Sequence, residues 1–334
     1  MSRLLLLPRE LRDDIIKLVI NSYSPPPRNP HDPFGQAKLK RHLDCTYHKA
    51  PWSGSCILYD PRSHDYLPNC SALLQTNWKL HHETMERLNK LRPNFALDIM
   101  VVDNTQLWPK WTSIPMVSSH VETVTAHIRT FRTEAGWQGF LGGPGEPPSM
   151  TWAFYDILKR FLNIGPVGPG YSVNEIGRGT TIQTLQIDVV CPKDLPEGTE
   201  VAPEQSGAQI YFPGHIPFVE GFLYDEKKKY LMHPKSLARF LWCWLEALLH
   251  MDRYSAIHGA ILFERVGTIR LMVDGELFKE WNLATLLAAF PLDGPPQTFE
   301  RGTEADFKSW REETYVFRKQ AGLPVIRHGS AQGS

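Results

Sequence analysis

The chain has 334 residues, 42% of them hydrophobic, which is enough to bury a substantial core in one large or two ordinary domains. Lysine plus arginine equals aspartate plus glutamate, 36 against 36, so no global field draws it to nucleic acid or to an anionic membrane. No run approaches the roughly 18 apolar residues of a membrane span, and five cysteines without a secretion signal point to a reducing cytoplasm or nucleus rather than to a disulfide framework.

A helix is expected from about residue 8 to 22, with Pro8 at a first-turn position where its missing N–H costs nothing. Its apolar residues Leu11, Ile15, Leu18 and Val19 have the spacing of one buried helical stripe. Pro25-Pro26-Pro27 ends it, and residues 23 to 69 read as a long irregular loop with one short strand at Cys56 to Tyr59. A second helix, capped by Asn69 or Ser71 and stopped by Arg92-Pro93, carries Leu73, Leu74, Asn77, Leu80, Thr84 and Leu88 near one face. Phe95 to Val102 reads as a buried strand, and Val121 to Arg129 alternates as a half-buried one.

Beyond the Gly/Pro break at 142–148, a helix runs from Ser149 to about Asn163, followed by a strand from Thr181 to Val190. The helix from about Lys235 to Met251 is the most apolar, with Ser236, Arg239, Glu246, His250 and Arg253 on one polar stripe. Gly267 to Val273 enters an Asp274-Gly275 turn, a hairpin signal, with a return strand at Glu276 to Trp281. Asn282 caps a short helix, and a last helix spans about Thr303 to Ala321. This order does not alternate as βαβ units do, so the expected fold is α+β, a mixed or antiparallel sheet packed against several helices. The expected division is a helical segment with its proline loop at 1–92, an α+β body at 93–325 and a tail at 326–334.

Two pieces resemble fungal F-box-like proteins: Leu7-Pro8-Arg9-Glu10-Leu11-Arg12-Asp13-Asp14-Ile15, and the helix Ser71 to Glu83 with its leucine pair, asparagine and trailing acidic residue. The stretches Leu97 to Pro109, Trp152 to Tyr155 and Val266 to Gly275 look like a broad fungal family as well. The resemblance implies a non-catalytic protein-recognition module, a ubiquitin-ligase substrate receptor whose Leu11, Ile15 and Leu18 contact a Skp-type adaptor.

Other constellations compete. His42, Cys45 and His48 make a metal-like cluster that supplies a first ligand pair, but Cys56, His64 and Cys70 do not form the second pair that zinc needs, so no metal site is expected. His82 and Glu86 stand one helical turn apart but lack the second histidine of a zinc motif. Glu246 and His250, also one turn apart, are the candidate acid–base pair if their stripe lines a pocket. Trp108, Trp111 and Trp137 fall in expected loops and are candidates for a groove or an apolar ligand pocket. They support a rival reading, a fungal secondary-metabolism enzyme of cyclase or isomerase type acting on a small apolar ligand. No cofactor motif is visible: the glycine loops are too proline-rich to cradle phosphate.

Overall fold

A computed structural model of the chain describes residues 3–30, 40–41, 56–59, 67–131, 148–166, 179–193, 200–201, 204, 230–251, 255–291 and 304–327. Helix α1 (Arg9–Ile20) follows a 3₁₀ turn at Arg3–Leu6. Strands β1 (Lys40–Arg41) and β2 (Cys56–Tyr59) precede α2 (Ser71–Thr76) and α3 (Trp78–Leu88). Then come β3 (Asn94–Val102), β4 (Gln106–Ser113), β5 (His120–Phe131), α4 (Ser149–Ile164) and β6 (Thr181–Val189). The short strands β7 (Glu200–Val201) and β8 (Tyr230–Leu231) pair only with each other. The chain continues through α5 (Pro234–Leu249), α6 (Ala256–Arg265), β9 (Val266–Val273), β10 (Glu276–Asn282), α7 (Leu283–Ala289) and α8 (Glu304–Gln320).

The fold is α+β around a mixed sheet of order β1-β2-β4-β3-β5-β6-β9-β10. Its middle, β3-β5-β6-β9, is parallel, because α4 carries the chain from β5 to β6 and α5 with α6 from β6 to β9. Antiparallel pairs flank it: β3 with β4 and β9 with β10. Both hairpins turn through two successive left-handed residues, Asp103-Asn104 and Asp274-Gly275, which matches the twist of their strands.

One face of the sheet holds the main core. Leu97, Ile99, Ala126, Ile128, Leu185 and Ile187 point at α4 and α5, which answer with Phe154, Phe161, Leu241 and Trp244. The opposite face is more polar, with Asp98, His127 and Arg129 among a small apolar group of Met100, Val102 and Phe131. The N-terminal helices have a separate apolar cluster of Ile16, Ile20, Cys70, Leu73, Leu80 and Leu88.

Several features differ from expectation. The helix expected after Asn69 is two helices, because Asn77 takes an extended conformation and its side chain caps α3 by accepting from the Leu80 N–H at 3.1 Å. Asn69 does not cap; its amide donates to Ile20 O and Ser22 O, tying the end of α1 to the start of α2. Helix α6 has no counterpart in the sequence reading, since Gly259 interrupts its apolar period.

Candidate functional site

The first candidate residues lie on α1. Helix α1 is fixed in rotation by a buried, two-point ion pair: Arg12 Nε donates to Glu83 Oε2 at 2.9 Å and Arg12 Nη2 to Glu83 Oε1 at 2.6 Å. Arg12 also donates to Leu7 O, and Arg9 reaches Glu86 at 3.0 Å beside it. The Arg12 hydrogen bonds hold the Glu83 carboxyl below the usual carboxylate range against its burial. With Arg12, Ile16 and Ile20 turned inward, the stripe at Leu11, Ile15 and Leu18 turns outward. Leu11 is 50% exposed, Leu18 73% and the preceding Leu6 69%, while Ile15 is half-buried. The buried face expected from the spacing is thus corrected: Arg12, Ile16 and Ile20 form it, Val19 packs at its edge, and Leu11, Ile15 and Leu18 are not part of the chain's own core.

The His82–Glu86 pairing is not formed. His82 stacks on Trp78 with ring centroids 5.9 Å apart, and Glu86 is taken by Arg9 and Lys90. Of the histidine–cysteine group, His42, Cys45, His48 and His64 lie outside the described residues, and Cys70 is buried in the helical cluster. No metal-ligating group of three or more occurs among the described residues.

Glu246 and His250 do not converge on a pocket. His250 is the exposed C-cap of α5. Glu246 Oε1 instead accepts from Trp242 Nε1 at 2.9 Å and Trp281 Nε1 at 3.2 Å, with Lys279 Nζ at 3.5 Å. Burial alone would raise this carboxyl, but the two indoles and the ammonium outweigh it and hold it below its ordinary value. A carboxylate so held is a weak base, and it serves to tie α5 to β10.

The tryptophans correct another expectation. Trp108 and Trp111 lie on β4, not in a loop, and Trp137 lies outside the described residues. Pro109 masked the strand in the sequence. It is tolerated because β2 pairs only with Gln106 and Leu107, which leaves that side of β4 free at Pro109. Trp108 packs with Met100, Val102 and Phe131 on one face, whereas Trp111 packs against Phe95 and Phe161 on the other. Trp111 borders a cavity of about 50 Å³ between the sheet and α4–α5. Its lining is entirely apolar or aromatic, apart from the indole N–H groups, and neither Glu246 nor His250 reaches it. That volume holds a few waters at most.

The sequence reading missed a polar constellation on the second face of the sheet. Arg129 Nε and Nη2 donate to Asp98 Oδ1 and Oδ2 at 2.7 and 2.8 Å. Burial pushes the Asp98 carboxyl above its usual range although Arg129 pulls it down. The signal was present: Asp98 is the one charged residue inside an otherwise apolar strand, and a buried carboxylate demands a partner.

No family matches this chain. Neither a family model, nor a curated protein, nor a solved structure is found to match the sequence or the fold. Among the described residues no helix is long and apolar enough to cross a membrane.

Proposed function

We propose that this chain is a non-catalytic recognition protein of the F-box-like kind. In this reading the outward stripe of α1 docks a Skp-type ubiquitin-ligase adaptor, and the α+β body binds a protein target. One observation carries the reading: Leu11 and Leu18 are left to solvent beside Ile15, although the same helix buries an arginine. Neighbouring exposed leucines on one helix are the kind of surface that a partner covers. The rival enzyme reading has less support, since the tryptophan-bordered cavity is small and neither candidate acid–base residue enters it.

The test is co-purification of the full chain with the adaptor. Wild-type protein retains the adaptor, and Leu11→Asp with Ile15→Asp loses it, as does Leu18→Asp. Leu277→Asp, at a leucine 58% exposed on β10, leaves it intact. Circular dichroism of each variant checks that the fold survives. Absence of any adaptor, or retention unchanged by the α1 substitutions, overturns the reading.

A further inference from the structure

A groove of about 580 Å³ runs between the end of α6 and one side of α8, apart from the docking stripe on α1. Its size falls within the roughly 300–1,000 Å³ of ordinary ligand sites. Helix α8 lends it Trp310, Glu313, Thr314 and Phe317, which recur at three- and four-residue spacing and so share one side of the helix. Helix α6 lends it Glu264 and Arg265.

Two polar groups in this groove lack a partner. The Arg265 guanidinium lies over the Phe317 ring, 5.3 Å from its centroid, and against Gly179, where a β-carbon would come within 1.7 Å of Nη1. Its Nε is buried with no acceptor, and Glu264 acts on it through space without a hydrogen bond. Thr314 is 2% exposed, and its hydroxyl is also without a partner. Buried donors of this kind are costly to leave unmade, so both call for a ligand oxygen.

The charges narrow the ligand. The lining sets the carboxylates of Glu264, Glu312 and Glu313 against the one guanidinium, and Arg327 pairs with Glu312 at 3.6 Å from beside it. Three carboxylates repel an anion, and a guanidinium bonded to none of them repels a cation. Glu264 Oε1 accepts from Trp310 Nε1 at 3.0 Å and Glu313 Oε1 from Ser309 Oγ at 2.9 Å, so each keeps its second oxygen as an acceptor. An uncharged molecule that donates and accepts at several points satisfies the whole set, and hydroxyl groups do both. Both walls are helical, so a peptide finds no strand edge to extend.

We propose that this groove binds a neutral hexose, whose hydroxyls accept from Arg265 and Thr314 and donate to Glu264 and Glu313. Trp310 borders its less polar C–H surface.

The test is ligand-observed NMR titration of the full chain at constant ionic strength with glucose, galactose and mannose. Each is run beside its uronic acid and its 2-amino analogue, and acetyl-alanyl-alanine methylamide serves as the peptide probe. At least one neutral hexose binds saturably, at least fivefold tighter than its two charged analogues and than the peptide. Arg265→Met and Thr314→Val each weaken that binding at least fivefold, and Arg87→Glu on α3 leaves it unchanged. Glu313 is exposed, so Glu313→Ala reads the groove even where a buried substitution upsets the fold, and it too weakens binding at least fivefold. No saturable binding of any of the three neutral hexoses, equal or tighter binding of a charged analogue or of the peptide, or unchanged affinity in Glu313→Ala overturns the proposal. Because none of these measurements involves the adaptor, their failure leaves the docking reading of α1 untouched.

Discussion

His258 makes the stability of this protein depend on pH in a way that can be worked out from its surroundings. It is 6% exposed, with its ring edge-on to Trp152 at 4.9 Å and to Tyr155 at 5.0 Å. Burial, and secondarily the nearby Lys159 ammonium, lower its pKa from 6.5 to about 4. The folded chain therefore keeps the imidazole neutral under conditions where the unfolded chain protonates it. Below pH 6.5 the unfolded state binds more protons, so stability falls as pH drops, and the loss is complete once pH passes the folded value of about 4. A shift of that size corresponds to about 3 kcal/mol, a substantial part of the roughly 5–15 kcal/mol that holds a typical domain. The assay is urea unfolding of wild type and His258→Phe at pH 7.0, 5.5 and 4.5. Carboxylates such as Glu83 and Glu246 also lose native-state stabilisation as pH falls, but they do so in both proteins, so the difference between the two curves isolates the histidine. Wild type should lose about 2–3 kcal/mol more than the variant between pH 7.0 and 4.5. Parallel curves would refute the argument, as would an imidazole that titrates near 6.5 in the folded protein by NMR.

Two further perturbations probe the body. Arg318 is fully buried without a carboxylate partner among the described residues; it donates to Phe263 O, to Val266 O at 2.8 Å and to Pro324 O at 2.9 Å, closing the carbonyl end of α6. Replacing it by Met removes an unfavourably desolvated charge but orphans three carbonyls, so the net effect in thermal or urea unfolding should be a loss of about 2–4 kcal/mol. Gly259 permits close contact between α5 and α6, since a β-carbon there would lie 2.1 Å from Leu248 O. Gly259→Ala should cost about 2–4 kcal/mol and show as a lowered melting temperature, whereas Gly275→Ala, with open space but a positive φ, should cost about 1 kcal/mol.

The elements that could be read from sequence were those whose signals are local. The Asp274-Gly275 turn is formed by two residues that accept positive φ, and Asn282 caps α7 by accepting from the Thr285 N–H at 3.1 Å. The four central strands were each visible as apolar or alternating runs, but their parallel order was not, because pairing depends on where α4 to α6 carry the chain. Strand β4 was hidden by Pro109, whose tolerance follows from a neighbour that stops two residues into the strand. The Leu11, Ile15 and Leu18 stripe was legible as a stripe. Which way it faces was not, because a long-range partner, Glu83, decides the rotation of α1. Glu246 illustrates the opposite failure: helical spacing paired it with His250, while its real partners come from β10 and from one turn earlier in α5.

The six-residue apolar cluster beneath α1 to α3 stands apart from the far larger one beneath the sheet. Free energy of opening scales with the greasy surface a region conceals, so the N-terminal helices should open more readily than the sheet with its larger core. Their amide protons should exchange with solvent ahead of those in β3, β5 and β6. A partner that clamps this unit would slow that exchange there first and leave the sheet's rates unchanged.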